Sequence, residues 1–375
     1  MHSRRQPRLI GIAGGLGGFP RRRLLQGAGA LGLAAVLRPT AGFAEPDDEG
    51  ERLGPFGPWS TPVNLGPIIN QSRPTDLNTH PAISKNGLSL YISSTRPGGV
   101  NGANIGNNST GFLEIWVSQR ASLEAPWGAP VNLDAFNSVR IINSIGSPTY
   151  APNFSADGHL LIFSSPRPGG SGGADLFVSR RTNKHDDFGW QAPVNLGPVI
   201  NTPQDDEAST YFEDEESGII VLYLASTRLE GRPVESPPGS EHIYVSTLGD
   251  EGTFGSAVLV PELSSQYEET RTAIRRDGLE FFLTSKRPNG RIGTNDIWVS
   301  TRESTLDPWS TPVNLGPTVN YPGKITGAPA LSWDGTTLYC YSTRPHGFGM
   351  RDLYVATREK LRNDEPDEDE ARHRR

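Results

Sequence analysis

Cysteine is almost missing from this chain: its 375 residues include one, so neither an intramolecular disulfide framework nor a cysteine-rich zinc site can form. Positive charge is not in excess either. Lys and Arg number 35 against 42 Asp and Glu, a formal −7, which leaves no electrostatic footprint for nucleic acid. The apolar run at 27–37 is too short to span a bilayer. No His-Glu-x-x-His pair, EF-hand loop, Gly-x-Ser-x-Gly elbow or phosphate-binding loop occurs. Turn formers, by contrast, abound: 43 glycines and 32 prolines beside 35% hydrophobic and 8% aromatic residues. That mixture is too apolar for a disordered chain and too punctuated for a helical bundle. It implies a soluble, turn-rich, all-β protein.

Residues 1–44 carry seven arginines and no acidic residue. Arg21-Arg22-Arg23-Leu24-Leu25 precedes the small apolar run, and Gly42-Phe43-Ala44 places small residues at −3 and −1 of a cleavage site. Paired arginines before a weakly hydrophobic Gly/Ala-rich stretch resemble a twin-arginine export signal; an ordinary secretory signal or an uncleaved anchor is the alternative. The expected location is periplasmic or secreted. Without residues 1–44 the chain has 28 basic and 42 acidic residues, a charge of −14. That disfavours anionic lipid surfaces and polyanionic ligands as partners.

One unit repeats five times. PWSTPVNLGP at 58–67 recurs unchanged at 308–317, with weaker copies after Trp127, Trp190 and Phe254. Each copy holds a short apolar segment ending in Asn-Gly, Asp-Gly or Ser-Gly, then a β-rich run closing on arginine (LYISSTRP, LIFSSPRP, LYLASTRL, FFLTSKRP, LYCYSTRP). After a Gly-rich loop comes a third run (EIWVSQR, DLFVSRR, HIYVSTL, DIWVSTR, DLYVATR), and Pro-Val-Asn-Leu supplies a fourth. Four short β segments between turn signals, repeated five times, predict a five-bladed β-propeller of four-stranded blades. The last repeat lacks its fourth strand, while the first PVNL precedes any complete repeat. Closure by the N-terminal strand on the last blade follows, because it leaves no raw sheet edge. The expected organisation is a signal at 1–44, a linker at 45–57, one propeller at 58–358 and a disordered charged tail at 359–375.

The pattern S-x-D-G-x-x-L-Y-x-S-S-x-R-P-G-G…D-I-W-V-S-x-R resembles the WD-repeat-like β-propeller repeat of the TolB type, seen in periplasmic and secreted bacterial proteins. The resemblance covers roughly residues 58–358. It implies the propeller fold; the family's roles range from interaction scaffolds to protease-associated domains.

Residues present in every repeat read as structural. Arg96, Arg167, Arg228, Arg287 and Arg344 share one position; Glu114, Asp175, Asp296 and Asp352 share another, broken by His242. Pairing of these arginines with these acids across adjacent strands is expected. Cys340 aligns with Ile92, Phe163, Leu224 and Leu283, so a buried, unreactive thiol is expected.

Function is sought where the repeats differ, since a ligand breaks the ring's pseudosymmetry. Aligning the turn glycines places Asn78, Thr149, Glu207, Glu269 and Thr326 in one channel layer, and His80, Ala151, Ser209, Arg271 and Ala328 two residues later. Asp76, Tyr150, Asp205, Asp206, Glu268 and Lys324 stand nearby. Two readings follow. In the first, an exported, non-catalytic monomer binds a protein, peptide or glycan at the funnel mouth through His80, Asn78, Tyr150, Asp205, Glu268, Arg271 and Lys324. In the second, a glycoside hydrolase or lyase uses carboxylates among Asp76, Glu207 and Glu269, on the analogy that five-bladed propellers commonly carry glycosidases. No metal, cofactor, nucleic-acid partner or membrane span is expected in the mature chain.

Overall fold

In the computed structural model, residues 55–70, 73–100, 111–136, 141–288 and 290–361 are described. The proposed export signal lies outside them, and among them no helix is long and apolar enough to cross a membrane. The chain opens with β1 (Val63–Asn64) and one helical turn, α1 (Pro67–Asn70). Blade one follows as β2 (Asn78–Ile83), β3 (Ser89–Ser94), β4 (Glu114–Gln119) and β5 (Val131–Asn132). Blade two is β6 (Tyr150–Phe154), β7 (Leu160–Ser165), β8 (Asp175–Arg180) and β9 (Val194–Asn195). Blade three is β10 (Asp206–Glu213), β11 (Ile220–Ser226), β12 (His242–Thr247) and β13 (Val258–Leu259). Blade four is β14 (Glu269–Ile274), β15 (Glu280–Ser285), β16 (Asp296–Thr301) and β17 (Val313–Asn314). Blade five contributes β18 (Thr326–Leu331), β19 (Thr337–Ser342) and β20 (Asp352–Thr357), and β1 completes it.

The protein is a five-bladed β-propeller, each blade four antiparallel strands in sequential order. Val63 pairs with Val355 and Asn64 with Tyr354, so the ends close the ring as the repeat pattern requires. The closing ladder runs further than 58–358: Gly57 N–H donates to Glu359 C=O, Phe56 bridges Lys360, and Leu361 N–H donates to Pro55 C=O. Residues 55–57 and 359–361 therefore belong to the propeller rather than to a linker and a tail, because the N-terminal segment continues as an antiparallel partner of the chain's last blade.

The core lies between blades. Apolar residues of the second strands, Leu90 and Ile92, Leu160 and Ile162, Leu222 and Leu224, are fully buried against the neighbouring sheet. Cys340 is buried among Ala273, Phe282 and Ile297, and burial pushes its thiol up to about 12.

The recurring polar residues do a different task from the one their spacing suggests. The five repeat arginines do not pair with the third-strand acids. Each sends a guanidinium N–H to a carbonyl outside the sheets, those of Ile69, Ile142, Ile200, Leu263 and Val319. Where a carboxylate partners them it comes from the first strand: Asp206 for Arg228 and Glu269 for Arg287. The third-strand acids are occupied by the Gly-rich loops, accepting backbone N–H groups from Val100, Ser171, Ile292 and Phe348. They also accept from the asparagine of the fourth strand. Loop N–H groups and the fourth-strand asparagine thus bind the acids in place of the arginine.

A further asparagine acts as a surrogate strand. Asn201 accepts from Leu176 N–H at 2.9 Å and donates to Leu176 C=O at 3.0 Å. Asn70, Asn143 and Asn320 do the same for Leu353, Ile115 and Ile297. Asn201→Ala leaves the buried Leu176 N–H without its acceptor, at a cost of about 1–3 kcal/mol, while Leu176 C=O keeps its bond from Leu196 N–H. Urea denaturation should show a loss in that range. A variant within ~0.5 kcal/mol of wild type would show that the side chain is not needed to hold the strand end.

Candidate functional site

Each first strand contains one extra residue near its start, seen as a register shift in β2, β6, β10, β14 and β18. The bulged residues are His80, Ala151, Ala208, Arg271 and Ala328, all with φ between 45° and 52°. Positive φ is unfavourable for residues with a Cβ, so something must hold each in place. For the three alanines it is a hydroxyl of the preceding blade. Ser93, Ser164 and Thr284 accept from the N–H groups of Ala151, Ala208 and Ala328 at 2.9–3.1 Å. The matching positions before Arg271 and His80 are Ala225 and Tyr341, which lack that hydroxyl. The two large polar bulge residues thus sit where the backbone latch is absent.

They hold each other instead. Arg271 Nε donates to His80 Nε2 at 2.8 Å, joining blades four and one across the position of blade five. Burial, and then the positive charges of Arg271 and Arg351, hold the His80 pKa well below its usual value, so the imidazole is neutral and accepts at Nε2. This bar divides the channel. On one side a cavity of about 150 Å³ runs past the first strands to Lys85, Arg276 and Trp333; on the other lies the mouth formed by the strand starts.

At that mouth Tyr150 Oη donates to Glu207, and Glu241, directly before β12, faces Glu207. Burial and then the proximity of Glu207 raise the Glu241 pKa well above the carboxylate range, offset by Arg271 and Thr270. Burial, then Glu207, also raises the Tyr150 hydroxyl. Arg271 is held charged: burial acts against it, but Tyr341, Glu241, Glu207 and Glu268 outweigh that cost. The arrangement is a half-buried carboxyl pair, one member keeping its proton, against a fixed guanidinium.

The structure brings together His80, Tyr150, Glu207 and Arg271 and leaves other candidates elsewhere. Asp76 is fully buried in an ion pair with Arg73 at 2.8 Å. Glu269 is fully buried and bound by Arg287, Ser265, Ser285 and His242, so it braces the blade and presents no face to the mouth. Asn78 accepts from Ser94 and Arg96. Glu268 pairs with Lys286 at 2.7 Å, Asp205 accepts from Ala174 N–H at 2.8 Å, and Lys324 is exposed. In blade three the channel alignment is off by one: Asp206, not Glu207, occupies the layer of Asn78, Thr149, Glu269 and Thr326, and Ala208, not Ser209, takes the bulge. The longer turn of that blade causes the slip. The slip places Glu207 level with Tyr150. Glu241 escapes a motif search because it stands in a loop; its signal was its place directly before the third-strand acid position. Among the described residues no group of three or more His, Cys, Asp or Glu could hold a metal ion.

No family model matches the chain, and no curated protein matches it in sequence. Its fold is similar to solved structures. One is a glycoside hydrolase with a TM-score of 0.52 and 12% identity, the match covering 82% of this chain and 96% of the other. Another is a thermostable family-43 glycoside hydrolase, at 0.50 and 13%, covering 79% and 93%. A third is the catalytic domain of the GH62 alpha-L-arabinofuranosidase of Coprinopsis cinerea, at 0.50 and 14%, covering 80% and 97%. At such identity the likeness concerns the fold alone.

The protonated carboxyl leaves a signature in stability. Between the ordinary carboxylate range and the raised value of Glu241, the folded chain binds a proton the unfolded chain has released. Stability therefore falls as pH rises through that window. Glu241→Gln removes this titration. Urea unfolding at about pH 5 and about pH 8 should show wild type losing more stability than the variant; equal losses would mean that the carboxyl is not held protonated.

Proposed function

We propose that this propeller is a carbohydrate-active hydrolase working at the mouth above the Arg271–His80 bar. The observation that carries the reading is the facing pair of Glu241 and Glu207, with Glu207 bonded to the Tyr150 hydroxyl and the Glu241 pKa raised by burial and by its neighbour. A proton donor held at neutral pH is what cleavage of a glycosidic bond requires. In this reading Glu241 gives its proton to the glycosidic oxygen as the C–O bond breaks. Water adds to the anomeric carbon, and its proton returns to the Glu207–Glu241 pair. Tyr150 fixes Glu207, and Arg271 limits the repulsion between the two carboxyls. The bar closes the channel behind the sugar, so the substrate enters and leaves by one mouth. With residues 1–44 read as a twin-arginine-like signal, the substrate would be an extracytoplasmic glycan, and kinship with TolB-type repeats remains part of this proposal.

The first substrates to try are aryl arabinofuranosides, the class named for one protein of like fold, with aryl xylosides and xylo-oligosaccharides beside them. Glu241→Gln and Glu207→Gln should each lower kcat by about 10²- to 10⁴-fold with cooperative unfolding retained. Wild type that binds these sugars without cleaving them would return the site to a non-catalytic glycan binder. Turnover undiminished in both variants would remove the carboxyl pair from the mechanism.

A further inference from the structure

Glu241 has a counterpart of opposite sign. The residue directly before each third strand sits on a common ring, because its carbonyl accepts from the first-strand N–H of the next blade. The ring members are Leu113, Ala174, Glu241, Asn295 and Arg351. Glu241 and Arg351 are its two charged members, from blades three and five, and between them blade four extends Arg271.

Arg351 differs from the arginines that build the blades. Arg181, Arg228, Arg275, Arg287 and Arg358 each meet a carboxylate within 3.1 Å. The Arg351 guanidinium has no hydrogen bond or ion pair among the described residues; it lies over the Tyr341 ring, 5.0 Å from the centroid. Tyr341 in turn lies 6.5 Å from the His80 ring. Neighbouring carboxylates are engaged elsewhere: Asp76 holds Arg73, and Asp352 accepts from Phe348 N–H, Gly349 N–H and Asn64. An aromatic face that supports the guanidinium plane leaves its N–H edge to grip a carboxylate with two parallel bonds. Arg271 on the same mouth adds to the local positive potential.

We propose that Arg351 is a specificity residue that binds the carboxylate of a uronic acid unit in the glycan. This rests on the carbohydrate reading and names its substrate class. Since the whole chain is acidic, with −7 formal charge, a polyuronate is repelled, whereas one uronate in an otherwise neutral oligosaccharide meets this local cation without that penalty.

The test compares xylotetraose with xylotetraose bearing one glucuronic acid branch, using the full chain as wild type, Arg351→Met and Arg351→Lys. Both calorimetric binding and steady-state turnover are measured. Wild type should favour the acidic sugar by about 10- to 100-fold, the range of one charge-assisted contact. Arg351→Met should lose that preference through KM and Kd, the acidic sugar suffering at least ~10-fold more than the neutral one; Arg351→Lys should restore part of it. Equal affinity of wild type for the two sugars, or a preference that survives in Arg351→Met, overturns the assignment. A preference in binding without turnover of either sugar keeps Arg351 and overturns the catalytic reading. Failure to bind either sugar overturns both.

Discussion

Five backbone hydrogen bonds between blades set the geometry of everything at the mouth. The N–H groups of Asn78, Thr149, Asp206, Glu269 and Thr326 donate to the carbonyls of Arg351, Leu113, Ala174, Glu241 and Asn295 at 2.7–2.9 Å. Each bond fixes the start of a first strand against the residue before the third strand of its neighbour. The donors are buried, so the bonds cannot be exchanged for bonds to water without leaving orphaned groups. Once the ring is closed by β1 pairing with β20, no blade can turn without breaking two of them. A loop residue such as Glu241 is thereby held almost as rigidly as a strand residue, which is what a catalytic or binding group needs.

The same rigidity explains why the bulge layer divides into three alanines and two large polar side chains. A residue at positive φ is tolerated when its N–H is captured, and the serine or threonine of the preceding blade does this for Ala151, Ala208 and Ala328. At Arg271 and His80 the captor is gone, replaced by Ala225 and Tyr341. The vacated space is used: Tyr341 packs beside His80, and Arg271 reaches the histidine across the ring. Loss of a local latch at two blades is offset by one bond between them. A bond between two large polar side chains here replaces a repeated backbone latch.

That substitution pattern also marks how far the sequence could be read. Blade number, strand order and the closure by Val63 and Asn64 were legible because every copy repeats the same turn and strand signals, and errors in one copy are corrected by four others. The site lacks that redundancy. His80, Tyr150, Glu207 and Arg271 were visible as departures from the repeat, but Asp76 and Glu269 departed too and turned out to neutralise Arg73 and Arg287. One sequence does not show which carboxylate has an internal cation to satisfy. Glu241 and Arg351 stayed hidden because their importance comes from inter-blade bonds that no local pattern encodes. In blade three, the stretch between the turn glycine and the strand start is longer than in the others, so counting back from Gly218 shifted Glu207 and Ser209 by one residue.

The division of the channel decides which chemistry the mouth can support. A propeller channel open at both ends fills with water, and two carboxyls there would both ionise in a high dielectric. The Arg271–His80 bar removes that path, and the neutral imidazole lets it do so without a second positive charge at the centre. On the other side of the bar Tyr150, Glu207 and Glu241 stand together, and burial and the nearness of Glu207 raise the Glu241 pKa, favouring its protonated form. Arg271 supplies one positive charge against two carboxyl groups. A second unpaired cation within reach of Glu241 would favour its ionised form. Arg351 is kept away from that role by its position: it belongs to blade five, and Tyr341 holds its guanidinium on the His80 side of the mouth. The acid and the second cation can coexist in one funnel because the ring of inter-blade bonds keeps them two blades apart.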